Sequence, residues 1–416
     1  MRRPFLLFGL LMLILPTSVL GRTWYITPDG TGDAPTIQAG VDSASAGDTV
    51  LVACGIYTDI GYVAPDGVSS CVRMKSNITL LGEGDPSCVV LDAQQQGRVI
   101  LCDSITGAVI DGLTITGGLA PDGGGIFCEY SEVLLTNLMV IENAATARYY
   151  VGGGGICIWG TPVPTITDCI FERNTASNAR GGAICFLSVG GEINIARCIF
   201  IGNESLSYGG AVACREGRAN FWNCWFEKNT SDAGGAIAFS TFDGRRVDGC
   251  IFLNNKAHSG YPPSGAAIDQ EWGYVLVTNS TFYGNDPNAI ALMGDCTMGL
   301  MRTIITGSTG ESVVLVYDEF LPWVWAECTD IYGNGSCDWC PGLSDYINVE
   351  GNFSECPSFC NAAAGDFYLC DGSPCLPGNH PYGADCGLIG ALGEGCACGP
   401  SATEPTTWSK IKSMFK

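Results

Sequence analysis

Residues 181–203 read GGAICFLSVGGEINIARCIFIGN. Two half-units frame this stretch: Gly181-Gly182-Ala183-Ile184 at its start, and Cys198-Ile199-Phe200 followed by Asn203 at its end. The first half recurs at Gly124-Gly125-Ile126, Gly154-Gly155-Ile156, Gly209-Gly210-Ala211-Val212, Gly234-Gly235-Ala236-Ile237 and Gly265-Ala266-Ala267-Ile268. The second recurs at Cys169-Ile170-Phe171 with Asn174, Cys224-Trp225-Phe226 with Asn229, and Cys250-Ile251-Phe252 with Asn255. Ser280-Thr281-Phe282 with Asn285 continues it, and the Phe positions step by 29, 26, 26 and 30 residues. A period in this range means one supersecondary unit stacked on its neighbours. The apolar runs are short, rich in Ile, Val and Phe, and bounded by Gly and Asn, so they read as strands rather than helices. Short strands that turn in every unit predict an all-β, single-stranded parallel β-helix.

Alternation within Cys-x-Phe sends Cys and Phe to one face of the strand and the middle residue to the other. The Gly pairs fit a corner where neighbouring coils approach too closely for a Cβ. Asn174, Asn203, Asn229, Asn255 and Asn285 are expected to be turn residues, because Asn tolerates the left-handed region and caps its own backbone. Cys169, Cys198, Cys224 and Cys250 occupy equivalent positions on strands about 4.8 Å apart. That column admits two readings, inter-coil disulfides (Cys169–Cys198 and Cys224–Cys250) or buried thiols packing as small hydrophobes. Cys157 and Cys185 form a second column with the same two readings.

The chain has 416 residues, with 57 Gly, 23 Cys and a formal charge of −22. A hydrophobic content of 46% excludes a disordered chain. Net acidity excludes a nucleic-acid partner, because the surface repels a phosphate backbone. The first 21 residues have the form of a secretory leader: Arg2 and Arg3, an apolar run from Phe5 to Leu15, then Val19 and Gly21 at a small-residue cleavage point. Export to an oxidising, extracellular or cell-surface location is the expectation, with no transmembrane segment in the mature chain. The cysteine count is odd, so intramolecular pairing cannot use all of them.

Ten cysteines crowd the end of the chain, from Cys328 to Cys398. Cys337, Cys340, Cys356, Cys360, Cys370, Cys375, Cys386 and Cys396 are expected to form a disulfide framework that caps the solenoid. The spacing of Cys337/Cys340 and Cys356/Cys360 also admits a zinc site, the weaker reading outside a cell. Near the other end, Ile37, Val41 and Ala44 share one face of a short helix, placed to cover the first coil. Residues 22–60 are therefore read as an N-terminal cap, 61–335 as the β-helix with regular repeats over about 124–285, and 336–399 as the Cys-rich cap. Residues 400–416 read as a linker and a basic amphipathic tail containing Trp408, Ile411 and Phe415.

The alternating half-units resemble the repeats of polymorphic outer-membrane proteins, whose hallmarks are Gly-Gly-Ala-Ile and Phe-x-x-Asn. The cap helix, the strand Thr49-Val50-Leu51-Val52 and the coils that follow resemble the pectate-lyase-like superfamily of secreted right-handed β-helices. The first resemblance implies a surface protein with an adhesive role. The second implies a polysaccharide lyase or hydrolase, with calcium as a cofactor under the lyase alternative. No catalytic, cofactor or metal residue is singled out by motif. Asp168 beside Arg197 reads as a cross-strand ion pair, and Arg245-Arg246 with Asp243 and Asp248 as a solvated loop. A non-catalytic adhesion or glycan-binding role is therefore the leading expectation, with a polysaccharide or cell-surface ligand as partner and the oligomeric state left open. Trp159, Trp222, Trp225 and Trp272 are candidate stacking platforms.

Overall fold

The computed structural model describes residues 21–65, 67–146, 152–240, 244–258, 263–316 and 322–398. The leader, apart from Gly21, and the basic tail lie outside the described residues. Successive coils visit four stacks of strands in the same order. Sheet A runs through twelve strands, from Thr23–Ile26 to Trp323–Glu327, and sheet B through eleven, from Gly55–Tyr57 to Asp330–Tyr332. A narrow sheet D of six two-residue strands, Leu119–Ala120 to Lys256–Ala257, follows, and then the eleven-stranded sheet C. Pairing within these sheets is parallel, apart from the Tyr62–Val63 strand, which runs antiparallel to Ser69–Arg73 at one end of sheet C.

Register explains the repeat. Phe171, Phe200, Phe226, Phe252 and Phe282 stand one above another inside sheet B, with ring centroids 4.6–4.8 Å apart and nearly parallel planes. Cys169, Cys198, Cys224 and Cys250 line the same interior. All four are free thiols. Each turns toward the carbonyl two residues before it, as Cys169 Sγ donates to Thr167 O at 3.1 Å and Cys198 Sγ to Ala196 O at 3.3 Å. No bond joins them, so the column packs as small hydrophobes and not as inter-coil disulfides. Cys157 and Cys185 are likewise free and buried, on the outer face of sheet C.

The asparagines sit at the corners, as Asn174 does between the strands Ile170–Glu172 and Thr175–Ala176, but without the left-handed backbone expected of them. They are fully buried, and the left-handed backbone falls on the residue before them, as at Arg173, Gly202, Lys228, Asn254 and Gly284. Their side chains form a ladder through the core edge. Asn203 Oδ1 accepts from both the backbone N–H and Nδ2 of Asn174 at 3.0 Å, and Asn229 Oδ1 does the same for Asn203. Each Nδ2 also donates to a carbonyl of the preceding coil, as Asn229 Nδ2 does to Phe200 O. An amide inside a corner satisfies backbone groups of two coils that nothing else reaches, which a turn-capping residue would not do. The glycine expectation holds: Gly209 has φ +68°, and a Cβ on Gly182 would collide with the carbonyl of Gly210 in the next coil.

Both ends are closed. The helix Ile37–Ser43, capped by Thr36 Oγ1 accepting from Ala39 N–H, places Ile37, Val41 and Ala44 on the first coil's core. At the far end Trp339 and Leu343 enter the same core. The rest of the Cys-rich region does something else. It turns back along the outside of sheet B, where Phe367 and Leu392 cover Ile170, Ile199, Trp225, Ile251 and Leu253.

Four disulfides are present: Cys54–Cys88, Cys328–Cys386, Cys360–Cys396 and Cys370–Cys398. The bond to Cys328 fastens the returning arm to the coils, and two others close the arm on itself. Because Cys360 is bonded to Cys396, the zinc reading fails. Four cysteines expected in the framework are free: Cys337, Cys340, Cys356 and Cys375. Cys340 donates to the carbonyl of Cys337, and the buried Cys375 to the carboxylate of Asp330 at 3.4 Å, so these thiols already have partners. Among the described residues no helix is long and apolar enough to cross a membrane.

Candidate functional site

With sheet B covered by the arm, the outer faces of sheets A and C carry the exposed chemistry. On sheet A several outward residues of successive coils are polar or aromatic. Asn194, Asn220 and Arg246 stand near one another, with Trp222 donating from Nε1 to Asn194 Oδ1 at 3.3 Å. The Arg246 guanidinium lies 5.1 Å from the centre of the Trp222 ring. Further along, Tyr274 and Trp323 align with Thr297 between them, two coils apart or about 10 Å. Both are exposed, Trp323 at 57%. The Trp325 indole lies over Gly299, beside Leu276, where any side chain on that glycine would displace it. Trp222, Tyr274, Trp323 and Trp325 therefore make a broken row of rings along the solenoid.

Two acids on or beside this face are paired with arginines. Asp168 binds Arg197 through two bonds of 2.7 and 2.8 Å, as expected from their register. One oxygen of Asp248 accepts from Arg246 at 2.7 Å, the other from Asn279 Nδ2 at 2.8 Å. Calcium held by outward acids near an arginine would need open carboxylate oxygens, and Asp168 and Asp248 do not offer such a set. Arg245 departs from the solvated-loop expectation. The strand Arg245–Asp248 turns its side chain inward, 3% exposed and 5.0 Å from the centre of the Phe239 ring.

Sheet C is different. Its outward column runs Cys185, Ala213, Ala238, Asp269, Ala291 in register. Small residues keep the face low, and an acid takes the place of one of them. Two adjoining hollows lie over it. One, of about 250 Å³, is lined by Tyr208, Asp232, Ser264, Asp269, Glu271 and Met293. The other, wider and about 650 Å³, is lined by Arg180, Arg215, Glu216, Ser240, Glu271 and Trp272. Glu271 belongs to both, so together they form one groove.

Asp269 is the unusual group here. Its carboxylate accepts from the N–H of Gly265 at 3.1 Å, closing the irregularity where the strand Gly265–Gln270 slips in register. Burial pushes its pKa up to about 7, against the opposing Gly265 hydrogen bond and with help from the charge of Glu271. Asp269 and Glu271 are two residues apart on an extended chain, so they face the same way with Cα atoms about 7 Å apart. Tyr208 is also raised, first by burial and then by Glu271, and Arg180 stacks 4.6 Å from its ring centre. At the corner beyond Glu271, Gln270 Nε2 donates to Gly273 O at 2.8 Å, fixing the short step from the groove to Tyr274 on sheet A.

Sequence reasoning named Trp222 and Trp272, which fall on the row and in the groove. Trp159 is exposed at the end of its strand, whereas Trp225 is buried beneath Phe367 and is no platform. The repeat-turn asparagines and thiol column are interior and bring no chemistry to the surface. Asp269, Glu271, Tyr208, Arg180 and Arg215 were missed. One signal was available: after the repeated Ile or Val, other coils carry Cys185, Ala213 or Ala238, and only this coil places an acid there, followed by Glu271.

A family model described as a right handed beta helix region matches residues 98–273. The fold is a right-handed parallel β-helix. No curated protein sequence matches the chain. Among solved structures, this β-helix is similar to the pectate lyase Pel9A, at 12% identity over 90% of this chain and 97% of that one, with a TM-score of 0.52. A rhamnogalacturonan lyase matches at 13% identity over 82% of this chain and 90% of that one, with a TM-score of 0.42. An alginate lyase, AlyGC, matches at 13% identity over 81% and 54%, with a TM-score of 0.45. At 12% identity the likeness to the pectate lyase shows the fold alone, and nothing in it supports the adhesive expectation.

Proposed function

We propose that this β-helix is an exported protein that acts on polysaccharide, holding an extended glycan along the outer face of sheet A. The observation that carries this reading is the row Trp222, Tyr274, Trp323 and Trp325, exposed or part-exposed on the outer face, with Asn194, Asn220 and Arg246 beside Trp222. Aromatic faces pack on the apolar faces of sugar rings, while neighbouring amides and guanidinium groups meet hydroxyl and carboxylate edges. Four disulfides support export, because such bonds persist in oxidising compartments. A pectate lyase of similar fold supports polysaccharide over the other ligand classes. The reading is tested by electrophoresis through gels containing polygalacturonate, alginate or xylan. Retardation in at least one gel is expected, with loss of it in the Trp323→Ala/Trp325→Ala double variant. A wild-type protein unretarded in all three, or a double variant retarded as strongly, would overturn it.

A further inference from the structure

We infer that the groove over sheet C is a glycoside-hydrolysing centre, in which Asp269 gives a proton to the leaving glycosidic oxygen and Glu271 takes one from water. The inference rests on the reading that the protein acts on polysaccharide, and adds where and how the chain is cut.

Three features converge. Asp269 is the acid in the stretch of outward column from Cys185 to Ala291 that is otherwise made of small residues, and it lines a hollow large enough for a sugar unit. Glu271 shares its face and belongs to both hollows, so the two carboxyl groups flank one stretch of groove. Two carboxyl groups on either side of a scissile bond, one holding a proton near neutrality, are what glycoside hydrolysis requires. The third feature is access. Gln270 fixes the corner, so Glu271, Trp272 and Tyr274 lead from groove to aromatic row within four residues of chain.

The step balances with water as the only co-reactant. The bond between the anomeric carbon and the glycosidic oxygen breaks, and the Asp269 proton goes to that oxygen. Water oxygen bonds to the anomeric carbon, and the proton it loses goes to Glu271. Exchange of one proton with solvent restores both groups. Arg180 and Arg215 line the adjoining hollow and favour a carboxylated sugar in the neighbouring position. The groups facing Asp269 are Glu271, Asp232 and Tyr208, with Arg180 and Arg215 beyond them. Burial, and after it the charge of Glu271, favour its protonated form, so activity falls as pH rises past about 7.

The experiment incubates wild-type protein, Asp269→Asn and Glu271→Gln with polygalacturonate, alginate and xylan, reading reducing ends and unsaturated-product absorbance together. Saturated fragments from at least one polymer are expected from wild type, with a loss of about 100-fold or more in each variant. Asn at 269 keeps an oxygen to accept the Gly265 N–H, and Glu271 lies outside that bond; thermal unfolding checks that both variants fold. Unsaturated fragments would overturn hydrolysis in favour of elimination. Retardation in the gels with no fragment from any polymer would overturn the cleavage centre and leave the binding reading standing. Variants as fast as wild type would remove Asp269 and Glu271 from the chemistry. Failure of wild type to be retarded in any gel would sink the binding reading itself.

Discussion

Sheets A and B are built by the same coils, yet their outer faces meet opposite fates. On sheet B the outward column Met139, Ile170, Ile199, Trp225, Ile251 is apolar, and the returning arm lies over it. On sheet A the outward column Asn194, Asn220, Arg246 is polar, and its neighbours are rings left in solvent. Burial of apolar area decides the first case: an open stripe of this size would favour association, and the chain covers it with its own C-terminal segment. The lesson concerns the rings. Trp225 under the arm holds the molecule together, whereas Trp323 in the open contributes little to folding and presents its ring to solvent.

The comparison can be broken most directly at Phe367, which is 1% exposed and touches Trp225 and Tyr283, with ring centroids at 6.0 and 5.2 Å. Phe367→Ala is expected to lower stability by about 3–5 kcal/mol in denaturant titrations. It should also speed proteolysis within the arm before the coils are cut. A two-state loss with no early cleavage would mean that arm and coils are one cooperative unit.

A second, smaller effect lies at Asp330, buried where the arm meets the last coil. Its oxygens accept from the N–H of Glu355 at 3.1 Å and from the thiol of Cys375. Burial nevertheless pushes its pKa up to about 7. The folded state thus holds this proton more tightly than the unfolded chain does. The contribution of Asp330 to stability is therefore fully present below about pH 4, falls as pH rises from there toward 7, and levels off above. Asp330→Asn is expected to flatten that slope, in melting temperatures taken across the range. An unchanged slope would place the titration elsewhere, Asp269 being the next group of the same direction.

The smallest effect sharpens the contrast from the other side. Trp323→Ala should change stability by no more than about 0.5 kcal/mol, because its ring stands in solvent. A cost of several kcal/mol in the same titration would show the row to be structural.

The coils were legible because their constraints are local and repeat. Gly at a close approach and Phe in the interior follow from one strand and its neighbour. The role of Asn174 and its equivalents was not legible: whether the amide points into or out of a corner depends on the next coil, and Arg173 takes the left-handed backbone instead. The fold-back of the arm left a trace that was not used. The middle residue of Cys-x-Phe is Ile170, Ile199, Trp225 and Ile251, and an outward position that stays apolar through four coils requires a cover. The groove was harder, since Asp269, Tyr208 and Arg215 come from separate coils and only stacking unites them. Trp323 and Trp325 lie where the repeat has faded, so no motif marked them.

The stack of Phe171 to Phe282, with centroids 4.6–4.8 Å apart, has one more consequence. Every outward side chain is placed on a lattice whose step is a single coil. Distances along the surface can then change only in whole steps: duplicating or deleting one unit lengthens or shortens the span while leaving each local contact intact. Tyr274 and Trp323 stand two steps apart. The molecule is a ruler graduated in coils, and its spacings are set by counting coils rather than by reshaping a pocket.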